Sequence, residues 1–450
     1  MSAAALSAFT RRGIGWTHYA TRSFSSLRAE ETHDVVVVGG GVMGAWTAIM
    51  ARKRGASVVL ADQFPVAHER GSSHGDGRIY RMAYIEDIYV DMMLRSLPLW
   101  RELEAFAGHQ LMAQTGGLQF AAVGEGRLED QTATYLRRNI EHERLTAPQS
   151  NERFPQIELG SQDEALYQPD FGVLFASKCI SAAWCYAEAL GVQTVTPFRA
   201  TAVRPASNMG ATLLIEGADA APLRARSVVL APGAWISSLA SSLLGLSIPT
   251  RVSAETVCYY KPRVTSTVDH SFRSMPCFIP ECDNAIGNFG YYGLPMIDIP
   301  GIKCSAHYCG PEVHPDRRPL SAGGRTAIDA VAEQAAAARV AAVIDSTSRF
   351  IASRFPHVEH EPFMTQSCLY TTTPDHDYIL STVPNQPKIV LAGGGSGHGF
   401  KMGPAIGEGA AALALADCPP PYPVQQFAVE RLLKLDESGA MDHEANAPRK

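Results

Sequence analysis

Asp34-Val35-Val36-Val37-Val38-Gly39-Gly40-Gly41-Val42-Met43-Gly44 is the stretch that decides the fold. Four consecutive valines predict a strand buried on both faces of a parallel sheet, because a strand with one wet face alternates apolar and polar side chains. The glycines follow at once. Gly39 permits a tight turn, Gly41 lets a pyrophosphate approach the backbone, and Gly44 lets the next helix pack closely on the strand. That helix carries Ala45 and Ile49 and ends on Arg52, Lys53 and Arg54, with Gly55 as its stop signal. A second apolar strand, Val58 to Ala61, ends on Asp62, 23 residues after Gly39, where an acid can hydrogen-bond an adenosine ribose. The βαβ unit is complete, and its helix N-terminus suits anionic phosphates. The motif alone leaves FAD and NAD both open.

Working outward, Ser181 to Leu190 followed by Val192 to Val195, and Val228-Val229-Leu230 before Ala231-Pro232-Gly233, read as further pieces of the same sheet. Ile389 to Ala392 reads as another buried strand, running into Gly393-Gly394-Gly395-Ser396-Gly397-His398-Gly399 and an Ala-rich helix. The segments between are richer in aromatic and polar residues. The expected class is therefore α/β, with a Rossmann-like dinucleotide domain built from 33–85, 170–245 and 360–430. It is interleaved with an α+β substrate domain from 86–169 and 246–359, on a mixed β-sheet. A long helix is expected over about Asp329 to Phe355, and 431–450 form a C-terminal tail.

At 450 residues, two domains on a shared core are the natural expectation. Hydrophobic residues at 46% and charged residues at 19% can fill that core. A net charge of -6 without basic clusters in the body argues against a nucleic-acid partner. No apolar run approaches the roughly 20 residues needed to span a bilayer, so no membrane partner is expected. The nine cysteines form no Cys-x-x-Cys pair, so no metal site is expected and a reducing compartment fits. The first 29 residues hold Arg11, Arg12, Arg22 and Arg28 and no acid before Glu30, the composition of a transit peptide, assigned to 1–32. The chain ends Ala447-Pro448-Arg449-Lys450 without a Ser-Lys-Leu type address. Mitochondrion is the expected compartment, ahead of peroxisome or cytoplasm.

Several distant segments resemble one family. Glu69-Arg70-Gly71-Ser72-Ser73-His74-Gly75-Asp76-Gly77-Arg78-Ile79-Tyr80-Arg81, Tyr291-Tyr292-Gly293-Leu294-Pro295, Ser367-Cys368-Leu369-Tyr370-Thr371 and Gly397-His398-Gly399-Phe400-Lys401 are similar, in order and spacing, to the monomeric sarcosine oxidase family. The resemblance is strongest to its peroxisomal sarcosine/L-pipecolate branch and covers about residues 33 to 430. It implies an FAD-dependent oxidase that takes a hydride from beside the secondary amine of a small amino acid and reduces O2 to hydrogen peroxide, working as a monomer. It also implies covalent FAD, attached through a Cys368 thioether at the flavin 8α position.

By the same resemblance, Gly39, Gly41, Gly44, Asp62, Ser73, His74, Arg78, Gly397, Gly399 and Lys401 hold the cofactor. Arg81 and Lys401 hold the substrate carboxylate, for which a planar guanidinium fork is well suited. Lys303 and His307 match a Lys-x-x-x-His pair facing the flavin, where a cation serves oxygen reduction. His307, Tyr292 and Tyr370 line the amine pocket. The chain departs from the bacterial pattern at Gly77, where Thr is usual, removing a hydrogen bond to FAD. It departs again in Lys303-Cys304-Ser305-Ala306-His307, whose intervening residues are expected to reshape the pocket. Two rivals stand beside this reading. One is a dehydrogenase passing electrons to another flavoprotein, against which Lys303 speaks. The other is a non-catalytic mitochondrial assembly factor, against which the joint presence of Cys368, Arg81, Lys401 and Lys303 speaks.

Overall fold

The computed structural model describes residues 31–433, apart from 125, 207–211, 283–284, 288–289 and 318–329. Residues 1–30 of the expected transit peptide and most of the C-terminal tail lie outside the described residues; Thr32, placed at the end of that peptide, is instead the first residue of a strand.

Among the described residues, two eight-stranded sheets and one three-stranded sheet make up the β structure. The valine strand, Thr32–Val38, lies in the first sheet between Val58–Ala61 and Ala220–Leu230, parallel to both. Val35 and Val37 face one apolar cluster and Val36 and Val38 another, which is why all four positions are apolar. The long strand Ala220–Leu230 divides its outer edge. Its first half pairs antiparallel with Leu213–Ala218, and Val228 to Leu230 pair parallel with Gln386–Gly393. Gln193–Val195 closes the far side beside Val58–Ala61.

The helix after the glycine loop, Val42–Lys53, packs against Ala176–Leu190 and Gly403–Leu415. Gly39 sits at φ +106°, and a Cβ on Gly44 would stand 1.8 Å from the Gly39 carbonyl oxygen. The tight turn and the close helix thus both depend on hydrogen side chains.

The second sheet is mixed. Its strand order runs Met364–Thr372, Arg251–Tyr260, Ile302–Ala306, Tyr291–Leu294, Cys277–Pro280, Gly117–Ala122, Asp163–Gln168 and Glu143–Thr146. All its pairings are antiparallel except Cys277–Pro280 with Gly117–Ala122. The long helix Ala330–Arg354 covers its outer face, burying Val343 and Ile351 with Cys304 and Ala306.

Two details differ from the sequence expectation. Met364–Thr372, placed with the dinucleotide segments in 360–430, pairs along its whole length with Arg251–Tyr260 in the second sheet. Helix Asp87–Ala107, placed in the substrate segment 86–169, packs instead on Ala176–Leu190 and Gly403–Leu415, with Trp100 edge-on to Trp46 at 5.2 Å. Amphipathic patterning reports that a helix buries one face and is silent on which neighbour covers it.

Candidate active site

A continuous cavity of about 940 Å³ runs from the glycine loop to the inner face of the second sheet. Strand periodicity selects its floor. Residues two apart share a face, so Lys303 and His307, Tyr292 and Leu294, Ile279 and Glu281, Cys368 and Tyr370 all line it. Cys304 and Ala306 point the other way, into the core under the long helix. The expectation that the residues between Lys303 and His307 reshape the pocket is therefore corrected: two of them face away, and the Ser305 hydroxyl donates to the Thr256 carbonyl at 2.7 Å.

Lys303 is buried, and its ammonium donates to the Gly77 carbonyl at 2.8 Å. Burial, then the Arg78 charge, pulls its pKa down to about 7. Arg78 donates to the carbonyls of Gly77 and Ser72 and lies 2.9 Å from the Cys368 sulfur. A Cβ on Gly77 would stand 2.7 Å from Ile297 and 2.9 Å from Val173. Apolar side chains thus fill the space that the usual Thr would need.

His307 sits 3.1 Å from the Tyr370 hydroxyl through Nδ1, with Tyr292 edge-on to its ring at 5.4 Å. Burial, followed by the Arg81, His376 and Lys401 charges, lowers its pKa to about 3, so the ring is neutral at ordinary pH. Burial pushes Tyr292 up to about 12 and Tyr370 well above its usual range, so both keep their protons.

In the same cavity, two cations share one aromatic ring. The Arg81 guanidinium lies 4.6 Å and the Lys401 ammonium 5.2 Å from the centre of Tyr84. Lys401 is buried and donates to the His398 carbonyl at 3.1 Å. Burial and then Arg81 hold its pKa well below the usual lysine range. An anion placed here would offset both costs. His398 Nε2 lies 3.1 Å from the His376 carbonyl, which can only accept, so the proton sits on Nε2 and Nδ1 takes the Tyr378 hydroxyl at 2.7 Å.

The comparisons bear on this geometry. Residues 34–413 match the family model described as DAO, FAD dependent oxidoreductase. The chain belongs to the DAO family of FAD-dependent oxidoreductases. It is 30% identical to peroxisomal sarcosine oxidase of Homo sapiens over 407 residues, covering 90% of this chain and 97% of that one. It is 32% identical to monomeric sarcosine oxidase of Bacillus sp. (strain NS-129) over 386 residues, covering 85% and 93%. Among solved structures it resembles NikD, an unusual amino acid oxidase, in its open form, with TM-score 0.72 at 24% identity, covering 88% and 97%.

In this DAO-family chain the cavity gathers Gly39, Gly41, Asp62, Ser73, Arg78, Arg81, Tyr292, Lys303, His307, Cys368, Gly397, Gly399 and Lys401, but not Gly44 or His74. Gly44 supports the loop from behind, and His74 is buried outside the lining. Asp62 lines the cavity but also accepts the Gly40 and Phe64 amides at 2.5 and 2.7 Å, bracing the loop it was expected to serve through the ribose. Sequence reading passed over Tyr84, Gln119, Gln131 and Glu281, which also line the cavity. Gln119 and Glu281 occur in or beside short strands whose pairing is set by distant partners.

Proposed function

We propose that the protein oxidises the secondary amine of a small amino acid of the sarcosine or L-pipecolate type, with FAD as hydride acceptor and O2 reduced to H2O2. The observation that carries this is the meeting of two chemistries in one cavity. Arg81 and Lys401 converge on one ring, and the same cavity holds a neutral floor of His307, Tyr292 and Tyr370. The paired cations hold the carboxylate, and the uncharged floor receives the neutral amine without competing for that carboxylate. With sarcosine the products are glycine and formaldehyde; with pipecolate, a cyclic imine.

The residues present fit FAD. Helix Val42–Lys53 starts at Gly41, which has no side chain to cap it; the Val42 amide donates to the Ser73 hydroxyl at 3.1 Å, and a Cβ on Gly41 would meet only Ser73 within 4 Å, so the loop leaves room for a pyrophosphate beside Ser73. Gly39, Gly41 and Ser73 would hold the phosphates, while Arg78, Gly397, Gly399 and Lys401 would surround the flavin. When bound, FAD supplies the two-electron acceptor that amine oxidation needs and returns those electrons to oxygen. Lys303 contributes a cation where charge develops on oxygen. Cys368, buried beside Arg78, carries the thioether; acid-denatured protein should keep its flavin, and Cys368→Ser should release it.

The decisive experiment is anaerobic addition of sarcosine or L-pipecolate to the purified holoenzyme. Bleaching of the flavin spectrum, with stoichiometric peroxide on admitting air, is expected. A spectrum unchanged by every N-methyl and cyclic amino acid tried rules the proposal out. We further assign the enzyme as a mitochondrial monomer.

A further inference from the structure

The cavity is also lined by a carboxylate, Glu281, that the reaction above does not use. Glu281 follows the strand Cys277–Pro280, whose neighbour on one side is Tyr291–Leu294 and on the other Gly117–Ala122. Its amide donates to the Phe120 carbonyl at 2.8 Å, which ties it to that strand end. On the same side of the sheet, the His307 amide donates to the Gly290 carbonyl at 3.0 Å. Tyr292 and Glu281 thus lie on adjacent strands, and His307 one strand further, so Glu281 stands about two strand spacings, roughly 10 Å, from the His307 strand.

The carboxylate is held in place by a buried relay. Gln119, 2% exposed, donates Nε2 to Glu281 Oε1 at 3.0 Å. A carboxylate only accepts there, so the amide orientation is dictated, and Gln119 Oε1 must face the other way. It accepts the hydroxyl of the fully buried Tyr135 at 3.0 Å. Burial raises the pKa of Tyr135, which keeps that donor protonated; Arg81 opposes the shift and Glu281 adds to it. Tyr135 therefore feels both Arg81 and Glu281, with opposite effect. The helix Arg127–Arg137 adds Arg127, Asp130 and Gln131 to the lining, one charge of each sign and one amide.

We infer that Glu281, braced by Gln119 and Tyr135, is a distal specificity group that binds an ammonium or guanidinium at the end of the substrate's side arm. This rests on the amine-oxidation reading. The one cavity is lined by Arg81 and Lys401 and also by Glu281. An amino acid with its carboxylate on the first pair can offer a basic group on its side arm to Glu281, and sarcosine, which has no side arm, cannot.

The test compares two substrates of equal length, Nα-methyl-L-lysine and the Nα-methyl derivative of L-2-aminoheptanoate, by peroxide release from the holoenzyme. The wild type is expected to show kcat/KM at least tenfold higher for the lysine compound, about 1.4 kcal/mol, and Glu281→Gln to bring that ratio close to one. Gln119→Leu, which cuts the brace but keeps the charge, should lower the ratio partway. A wild-type ratio near or below one overturns the inference without any variant, as does a Glu281→Gln enzyme that keeps the wild-type ratio. Sarcosine, assayed alongside, separates the failures. If it is oxidised while the ratio is flat, the distal group is wrong and the amine oxidase reading stands; if no amine is oxidised, both fall.

Discussion

Lys303 illustrates how one buried side chain joins geometry to chemistry. Its ammonium is held by the Gly77 carbonyl, and burial together with Arg78 brings its pKa down to about 7. The group is cationic below that value and loses its charge as pH rises through it. If the cation assists oxygen reduction, photoreduced wild-type enzyme should react with oxygen more slowly as pH rises through about 7, or through a higher value where an anionic flavin alongside stabilises the charge. Lys303→Met keeps the apolar stem and removes the charge. Stopped-flow measurement should find flavin reduction by amine within about tenfold of wild type and reoxidation lower by about a hundredfold, with no pH step, as for loss of one preorganised charge. Unchanged reoxidation in the variant would assign the oxygen step to another group. Arg81, Cys368 and Lys401 were singled out in sequence because the matched segments contain them, and Lys303 because of its Lys-x-x-x-His pair; all four line the cavity. Tyr84 and Glu281 were not, since a tyrosine or glutamate becomes a site residue only through what faces it.

At the scale of an element, the turn after Ile302–Ala306 carries His307 and is held by a buried acid. Glu255 Oε2 accepts the amides of Cys309 and Gly310, each at 3.0 Å, and Ser253 donates to its other oxygen at 2.5 Å. Glu255 is 1% exposed, and burial raises its pKa. Replacing it with Ala strands two buried N–H groups, at about 1–3 kcal/mol each. Thermal denaturation should therefore show a clear fall in Tm for Glu255→Ala, accompanied by a raised KM as His307 loses its support. Glu255→Gln, which keeps an acceptor oxygen, should lose less. Equal Tm values for wild type and Glu255→Ala would mean that water or a rearranged turn satisfies those amides. No periodicity announces this role: Arg251–Tyr260 reads in sequence as a strand with one misplaced acid, and its partner amides lie some fifty residues on.

For the whole molecule, no helix among the described residues is long and apolar enough to cross a membrane. The basic, acid-free opening segment has the composition of an organelle address. Residues 1–32 fused to a fluorescent reporter should carry it to mitochondria. Peroxisomal or diffuse cytoplasmic signal from that fusion would contradict the assignment.

The sequence by itself determined the parts whose signal is local. Four valines, a glycine loop, a helix and an acid within about thirty residues define a βαβ unit, because each feature answers a backbone or packing demand of its immediate neighbours. The mixed second sheet was anticipated only as a class. Which strands it contains was decided by tertiary structure: Met364–Thr372 joins Arg251–Tyr260 across more than a hundred residues, and nothing within either segment names the other. That pairing sets Cys368 and Tyr370 on the same face as Lys303 and His307. The meeting of Arg81 and Lys401 over Tyr84, and the reach of the cavity to Glu281, are likewise long-range facts. A side chain's type is written in the chain, whereas its burial, its field and its partners exist only after folding has brought distant segments together.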